Sequence, residues 1–143
     1  GAVEHADDVD VDDLQLVLKG QLIARSLSYI SAPIHAPTSG RVIDIGDYRV
    51  PHPSGLKAPC IVIAADGADR GADAGIDMAS VLEADPAEIR RWVRDAGIVG
   101  LGGAGFPTSV KLNPGPGREV ELLVINAAEC EPYISCDEAL MCT

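Results

Sequence analysis

The chain of 143 residues carries 11 Lys and Arg against 22 Asp and Glu. The formal charge of −11 repels a phosphate backbone and argues against nucleic-acid binding. Apolar residues make up 47% and aromatics only 3%, so one domain or two small ones can form around an aliphatic, alanine-rich core.

The first 13 residues hold Glu4, Asp7, Asp8, Asp10, Asp12 and Asp13 without a Lys or Arg, the composition of a solvated terminus. No basic stretch precedes an apolar core, so no signal peptide is visible and a reducing cytoplasm is the expected compartment. Residues 14–65 read as short strands. LQLVL, QLIA, RVIDI and CIVIAA are separated by Lys19-Gly20, Pro37-Thr38-Ser39-Gly40 and His52-Pro53-Ser54-Gly55, the spacing of a small β sandwich or barrel. RVIDIGDY alternates only imperfectly, which leaves its buried face open. His35 and His52 lie in proline-rich loops and are expected to be structural.

DGADRGADAGID, residues 66–77, is polar and glycine-rich and reads as a linker. A helix is predicted after it. Asp85 is its N-cap, Pro86 its first residue and Glu88 its N3 acid; Ile89, Trp92, Val93 and Ala96 follow at helical spacing, and Gly97 ends it. The longest uncharged run, residues 96–110, is too short and too broken to cross a bilayer. GLGGAGFPTSVKL follows at residues 100–112, then the NPGPG turn, then ELLVIN as a buried strand. Ser135 and Glu138 form a second capping box, and a helix ending at Thr143 reads as one cut short.

The glycine loop contains G-x-G-x-x-G at Gly100, Gly102 and Gly105. A P-loop needs Lys directly after its last Gly, and Phe106 stands there. The dinucleotide fingerprint must follow a strand, whereas this loop follows a helix. What remains is a backbone surface without Cβ atoms, a helix start near Pro107 and a cation at Lys111, which suit an anionic ligand. A tightly packed turn fits these residues equally well. INAAECEPY, residues 125–133, places Asn126, Glu129 and Glu131 after the predicted strand, acceptors for sugar or ribityl hydroxyls or a solvated loop. Among the cysteines, Cys130, Cys136 and Cys142 sit six apart, unlike the short steps of zinc and iron–sulfur loops. With Cys60 they are expected to be unligated, with no metal site.

GIVGLGGAGFPTSVKL and INAAECEPYISCDEALM together closely resemble the flavin-binding region of the C subunit of the Rnf-type electron-transport complex, an ion-translocating ferredoxin:NAD oxidoreductase. VLKGQLIA, ISAPIHAPTSGRVIDI and VPHPSGL resemble the β-rich domain that precedes that region. The same flavin region is similar to the NADH-oxidising subunit of respiratory complex I. The resemblance implies Gly100, Gly102, Gly103, Lys111, Asn126 and Glu129 as FMN contacts, with Phe106 and Glu131 on the nicotinamide side. The complex I pattern has Arg at Leu101, Asp at Ala128, Ser at Cys130 and Gly at Tyr133.

The fold implied is mixed α+β. Residues 1–66 would form a barrel-sandwich hybrid domain of hammerhead-like shape, residues 67–84 a linker, and residues 85–143 the start of an α/β FMN-binding domain of complex I type. The cofactors implied are FMN and NAD(H). Two [4Fe–4S] clusters belong to the full-length subunit beyond this segment, which by itself is expected to be inactive. No side chain here is a convincing acid, base or nucleophile. The partners implied are the other subunits of the complex and, through them, ferredoxin or another carrier, at the cytoplasmic face of the cell membrane.

VLKGQLIA and APIHAPTSGRVIDI also resemble a biotinyl or lipoyl carrier domain. Such a domain presents a lysine on the hairpin corresponding to ARSLSYIS, residues 24–31, which contains none. A scaffold or docking module of that shape, without the modified lysine, is the competing reading.

Overall fold

The computed structural model describes residues 8–51, 54–72, 78–100, 105–115, 117–118, 120–129 and 131–142. Its first part contains six strands: β1 (Asp8–Val9), β2 (Leu16–Val17), β3 (Leu22–Arg25), β4 (Ile34–His35), β5 (Gly40–Arg49) and β6 (Lys57–Ala65). They form two three-stranded sheets, ordered β1-β3-β4 and β2-β5-β6, with every pairing antiparallel. The barrel component of the expected sandwich does not close. Three of the six strands have only two residues each, too few to carry a ladder from one sheet to the other.

Val11, Val17, Ile23, Ala36 and Val42 form the buried core, with Ile34, Ile45, Ile61 and Ile63 packed against it. Val42 has no exposed surface, and burying such a side chain contributes about 1.5–3 kcal/mol. A bulge accounts for the broken alternation of RVIDI. Val42 faces Ile63 and Asp44 faces Val62, so Ile43 is the extra residue and lies 52% exposed. The bulge lets Val42 and Ile45 both reach the core although they are three positions apart. Gly40 is required by crowding: a Cβ there would sit 2.2 Å from the Ala64 carbonyl oxygen across the ladder.

The polar stretch after β6 turns back onto the sheets. Buried Ser39 donates its hydroxyl to Asp66 Oδ1 (2.7 Å) and accepts from the Arg70 amide (2.9 Å). The Lys19 amide donates to the Arg70 carbonyl and the Ala72 amide to the Lys19 carbonyl, while Lys19 Nζ meets Asp69 at 2.6 Å. Asp66 also accepts from the Ala68 amide and from Arg70. These donors, the Ser39 hydroxyl foremost, lower its pKa to about 2.

Among the described residues four short helices follow: α1 (Met78–Glu83), α2 (Pro86–Asp95), α3 (Thr108–Lys111) and α4 (Cys136–Met141). The start of α2 is as predicted, with Asp85 accepting from the Ala87 and Glu88 amides at 2.7 and 2.9 Å. Those bonds hold the Asp85 carboxyl below its usual range. Gly97 ends the helix at φ +67°, where a Cβ would lie 2.7 Å from the Pro33 carbonyl oxygen and 3.2 Å from His35 Nδ1. The helix end therefore lies directly on β4, and half-buried His35 packs at this junction, whereas His52 lies outside the described residues.

The strand predicted at 121–126 does not form. Residues 120–129 carry no regular structure, and Leu122, Leu123, Val124 and Ile125 are 73–80% exposed. An isolated apolar segment becomes a strand only beside an edge that accepts its hydrogen bonds, and neither described sheet includes it.

Candidate functional site

Helices α2 and α3 flank the glycine loop and draw its two sides together. The Thr108 amide donates to the Ile98 carbonyl and the Gly100 amide to the Phe106 carbonyl, both at 3.0 Å, around an antiparallel bridge between Val99 and Pro107. The loop thus leaves and rejoins the helices through a pinned neck. Gly105 takes φ +67°, the left-handed region open to glycine. Gly102 and Gly103 lie outside the described residues. Phe106 is 40% exposed beside the neck.

Lys111 closes the last turn of α3, and its side chain folds back along the helix to the loop. A Cβ built on Gly100 would stand 2.8 Å from Lys111 Nζ. The ammonium thus occupies space that any other residue at position 100 would contest. Gly100 and Lys111, eleven residues apart, are therefore brought together. The geometry fits an anion such as a flavin phosphate, because a cation and backbone without a Cβ atom meet at one point.

The second constellation is arranged differently. Asn126 Oδ1 accepts from the Ala128 amide at 3.0 Å. Glu129 Oε1 accepts from the Asp137 and Glu138 amides at 3.0 and 3.2 Å, and its Oε2 accepts from the Cys136 thiol at 3.4 Å. Glu129 is thus the cap of α4. The expected capping box is not formed, since Ser135 makes no side-chain cap bond. Its place is taken by a carboxylate six residues earlier in the chain, which accepts from the amides of the helix's first turn. The hydrogen bond to Glu129 comes first among the causes that raise the Cys136 pKa, ahead of desolvation and the charges of Glu129 and Asp137.

Glu129, Cys136 and Asp137 bring three potential donor atoms within 4.8 Å of one another. Both Glu129 oxygens are already engaged, so a helix cap accounts for the cluster. Cys60, Cys136 and Cys142 are free thiols, and Cys130 lies outside the described residues. Glu131 is exposed, and Tyr133 beyond it is fully exposed at φ +71°. That conformation favours glycine, which is the residue the complex I pattern has there.

Neither the capping role of Glu129 nor a bond from Asn113 Nδ2 to the Tyr29 hydroxyl at 3.1 Å is legible in the sequence. Tyr29 and Asn113 are 84 residues apart, and no local pattern marks either as a partner of the other.

Two families match successive parts of the chain. Residues 4–68 match the RnfC barrel sandwich hybrid domain, and residues 93–143 match the Nuo51 FMN-binding domain. The class is therefore a barrel-sandwich hybrid domain joined to FMN-binding-domain sequence. The C subunit of the ion-translocating oxidoreductase complex of Rhodobacter capsulatus is 52% identical over 126 residues, covering 88% of this chain and 24% of the relative. Its Pseudomonas aeruginosa counterpart is 52% identical over 128 residues, 89% of this chain and 16% of the relative. The C subunit of the proton-translocating ferredoxin:NAD(+) oxidoreductase complex of Clostridium ljungdahlii is 48% identical over 121 residues, 85% and 26% respectively. The chain belongs to this RnfC family, the C subunits of Rnf-type complexes, and it spans about a quarter or less of the relatives' length.

Proposed function

We propose that this chain supplies the phosphate-holding end of an FMN site within a longer subunit of an NAD-linked, ion-translocating oxidoreductase complex. The observation that carries the reading is the Lys111 ammonium seated against the Cβ-free face of Gly100. Lys111 would neutralise the phosphate beside Gly100, and Gly102 and Gly103, which lie outside the described residues, are carried over from the resemblance as further FMN contacts. When bound, FMN supplies hydride exchange with NAD(H) and single-electron exchange with iron–sulfur clusters.

Phe106, exposed at the loop neck, and Glu131 stand on the nicotinamide side. Asn126 offers its amide Nδ2 to the flavin, and Glu129 holds the turn that carries Asn126 and Glu131 by capping α4. The clusters and the exit to ferredoxin or another carrier belong to the remainder of the subunit and its partner subunits. The assembly sits peripherally at the cytoplasmic face of the cell membrane.

An FMN titration of the full-length subunit, read by flavin fluorescence, tests the reading. Replacing a charge-assisted contact costs about 1.5–3 kcal/mol, so Lys111→Ala should weaken binding by about 10- to 100-fold with an unchanged melting temperature. Unaltered affinity in a well-folded variant would return the chain to the scaffold reading.

A further inference from the structure

The hairpin between β3 and β4 meets both helices that flank the glycine loop. At its tip, the Ser28 carbonyl accepts from Arg94 Nη2 at 3.2 Å, in the last turn of α2. One residue on, the Tyr29 hydroxyl accepts from Asn113 Nδ2 at 3.1 Å, just past α3. Gly97 meets Pro33 and His35 at the hairpin's return, closely enough to exclude a Cβ. Three contacts thus hold the outer ends of a unit whose middle is the pinned neck and Lys111.

The tip is built to be stiff. The Ser26 and Ser31 hydroxyls bond each other, one donating, and the one that accepts donates in turn to the Ser28 carbonyl, which lies 3.0 Å from Ser26 Oγ and 3.4 Å from Ser31 Oγ. The serines of ARSLSYIS therefore fix the carbonyl that Arg94 reads. Beside this contact a cavity of about 300 Å³ remains, lined by Leu22, Arg25, Ser26, Pro33, Arg94 and Asp95. The two regions do not pack continuously here, so directed polar contacts must set the angle at which α2 and α3 present the loop.

We infer that Ser28 and Tyr29 form an intramolecular brace, in which the hairpin tip sets the spacing of α2 and α3 and so positions the Gly100–Lys111 anion site. Tyr29 and Asn113 are positioning residues. Neither touches the ligand; each acts through the separation of the two helix ends. The inference rests on the FMN reading for its ligand, but not for its mechanics. The hairpin that would present a cofactor-bearing lysine in a carrier domain is here committed to holding a site elsewhere in the same chain.

The test uses the full-length subunit with Tyr29→Phe, Asn113→Ala and the double variant. Tyr29→Phe keeps the ring and removes only the acceptor of a half-exposed hydrogen bond, so the β-rich part should stay folded. Amide exchange of peptides covering 98–113, without flavin, should quicken in both single variants, because the Gly100 and Thr108 amides lose their fixed partners. FMN affinity should fall about three- to tenfold in each, as expected for one hydrogen bond, and no further in the double variant. Unchanged exchange at 98–113 would overturn the brace whatever the flavin does. Faster exchange with unchanged affinity, in a protein where Lys111→Ala still weakens FMN, would overturn its role in positioning. Additive losses in the double variant would overturn the direct link between Tyr29 and Asn113. Should Lys111→Ala leave FMN binding intact, the phosphate assignment fails, while the exchange measurement still decides the brace.

Discussion

The two parts of this chain satisfy their apolar residues in opposite ways. Residues 8–72 bury Val17, Ile23 and Val42 almost completely between two sheets, and even the polar tail from Asp66 returns to bond Ser39 and Lys19. In residues 78–142, Leu122 to Ile125 stand exposed, and among the described residues none of the four helices buries a side chain fully. The first part closes on contacts made within itself. The second offers a pinned loop, a cation and an apolar segment, with the strand partners such a segment would need absent from the described sheets. A segment of high β propensity is thus a strand only where an edge receives it.

Substitutions can sharpen or break this contrast. The largest effect is expected at Gly40, where a methyl group would meet backbone that cannot step aside. Gly40→Ala should cost about 3 kcal/mol in urea unfolding, and a loss under about 1 kcal/mol would show that the β5–β6 ladder yields more than its register implies.

Acid comes next. The folded Asp66 carboxyl titrates at about 2, below the ordinary range near 4. Its hydrogen bonds contribute stability that is full above about pH 4 and is lost as the pH falls from about 4 through 2. Melting temperature should drop across that window, and Asp66→Asn should flatten the part of the drop that this carboxyl causes. An identical profile in the variant would mean that Asp66 does not anchor the returning tail.

Least is expected from Leu123→Ser. A residue 73% exposed has little burial to lose, so stability should change by no more than about 0.5 kcal/mol. A loss above about 2 kcal/mol in this same chain would erase the contrast, because it would place Leu123 in a packed interior.

The α2 helix is legible in the sequence almost to its ends. Asp85, Pro86 and Glu88 start it, and Gly97 stops it through local backbone chemistry that needs no distant partner. The glycine loop and the short helix carrying Lys111 are legible for the same reason. The bulge at Ile43 leaves a trace as broken alternation, but alternation alone does not say which strand holds the extra residue. Resemblance assigns Glu129 to the flavin, yet its carboxylate caps a helix, because a free helix terminus accepts whichever acceptor the fold brings to it. The stretch from Asp66 reads as a linker by composition. Its anchor, Ser39, lies 27 positions earlier, where no compositional pattern can register it.

By itself the sequence determined the features set within a few residues: caps, turns, the glycine loop, and the apolar runs able to become strands. Its motifs were also distinctive enough to indicate the family. Tertiary structure alone decided that the sheets stay open, that the predicted strand at 121–126 finds no edge, and that Tyr29 reaches Asn113 behind the loop. Propensity and capping act over one or two turns of chain, whereas a hydrogen bond across 84 residues exists only once two separately formed elements have been placed side by side.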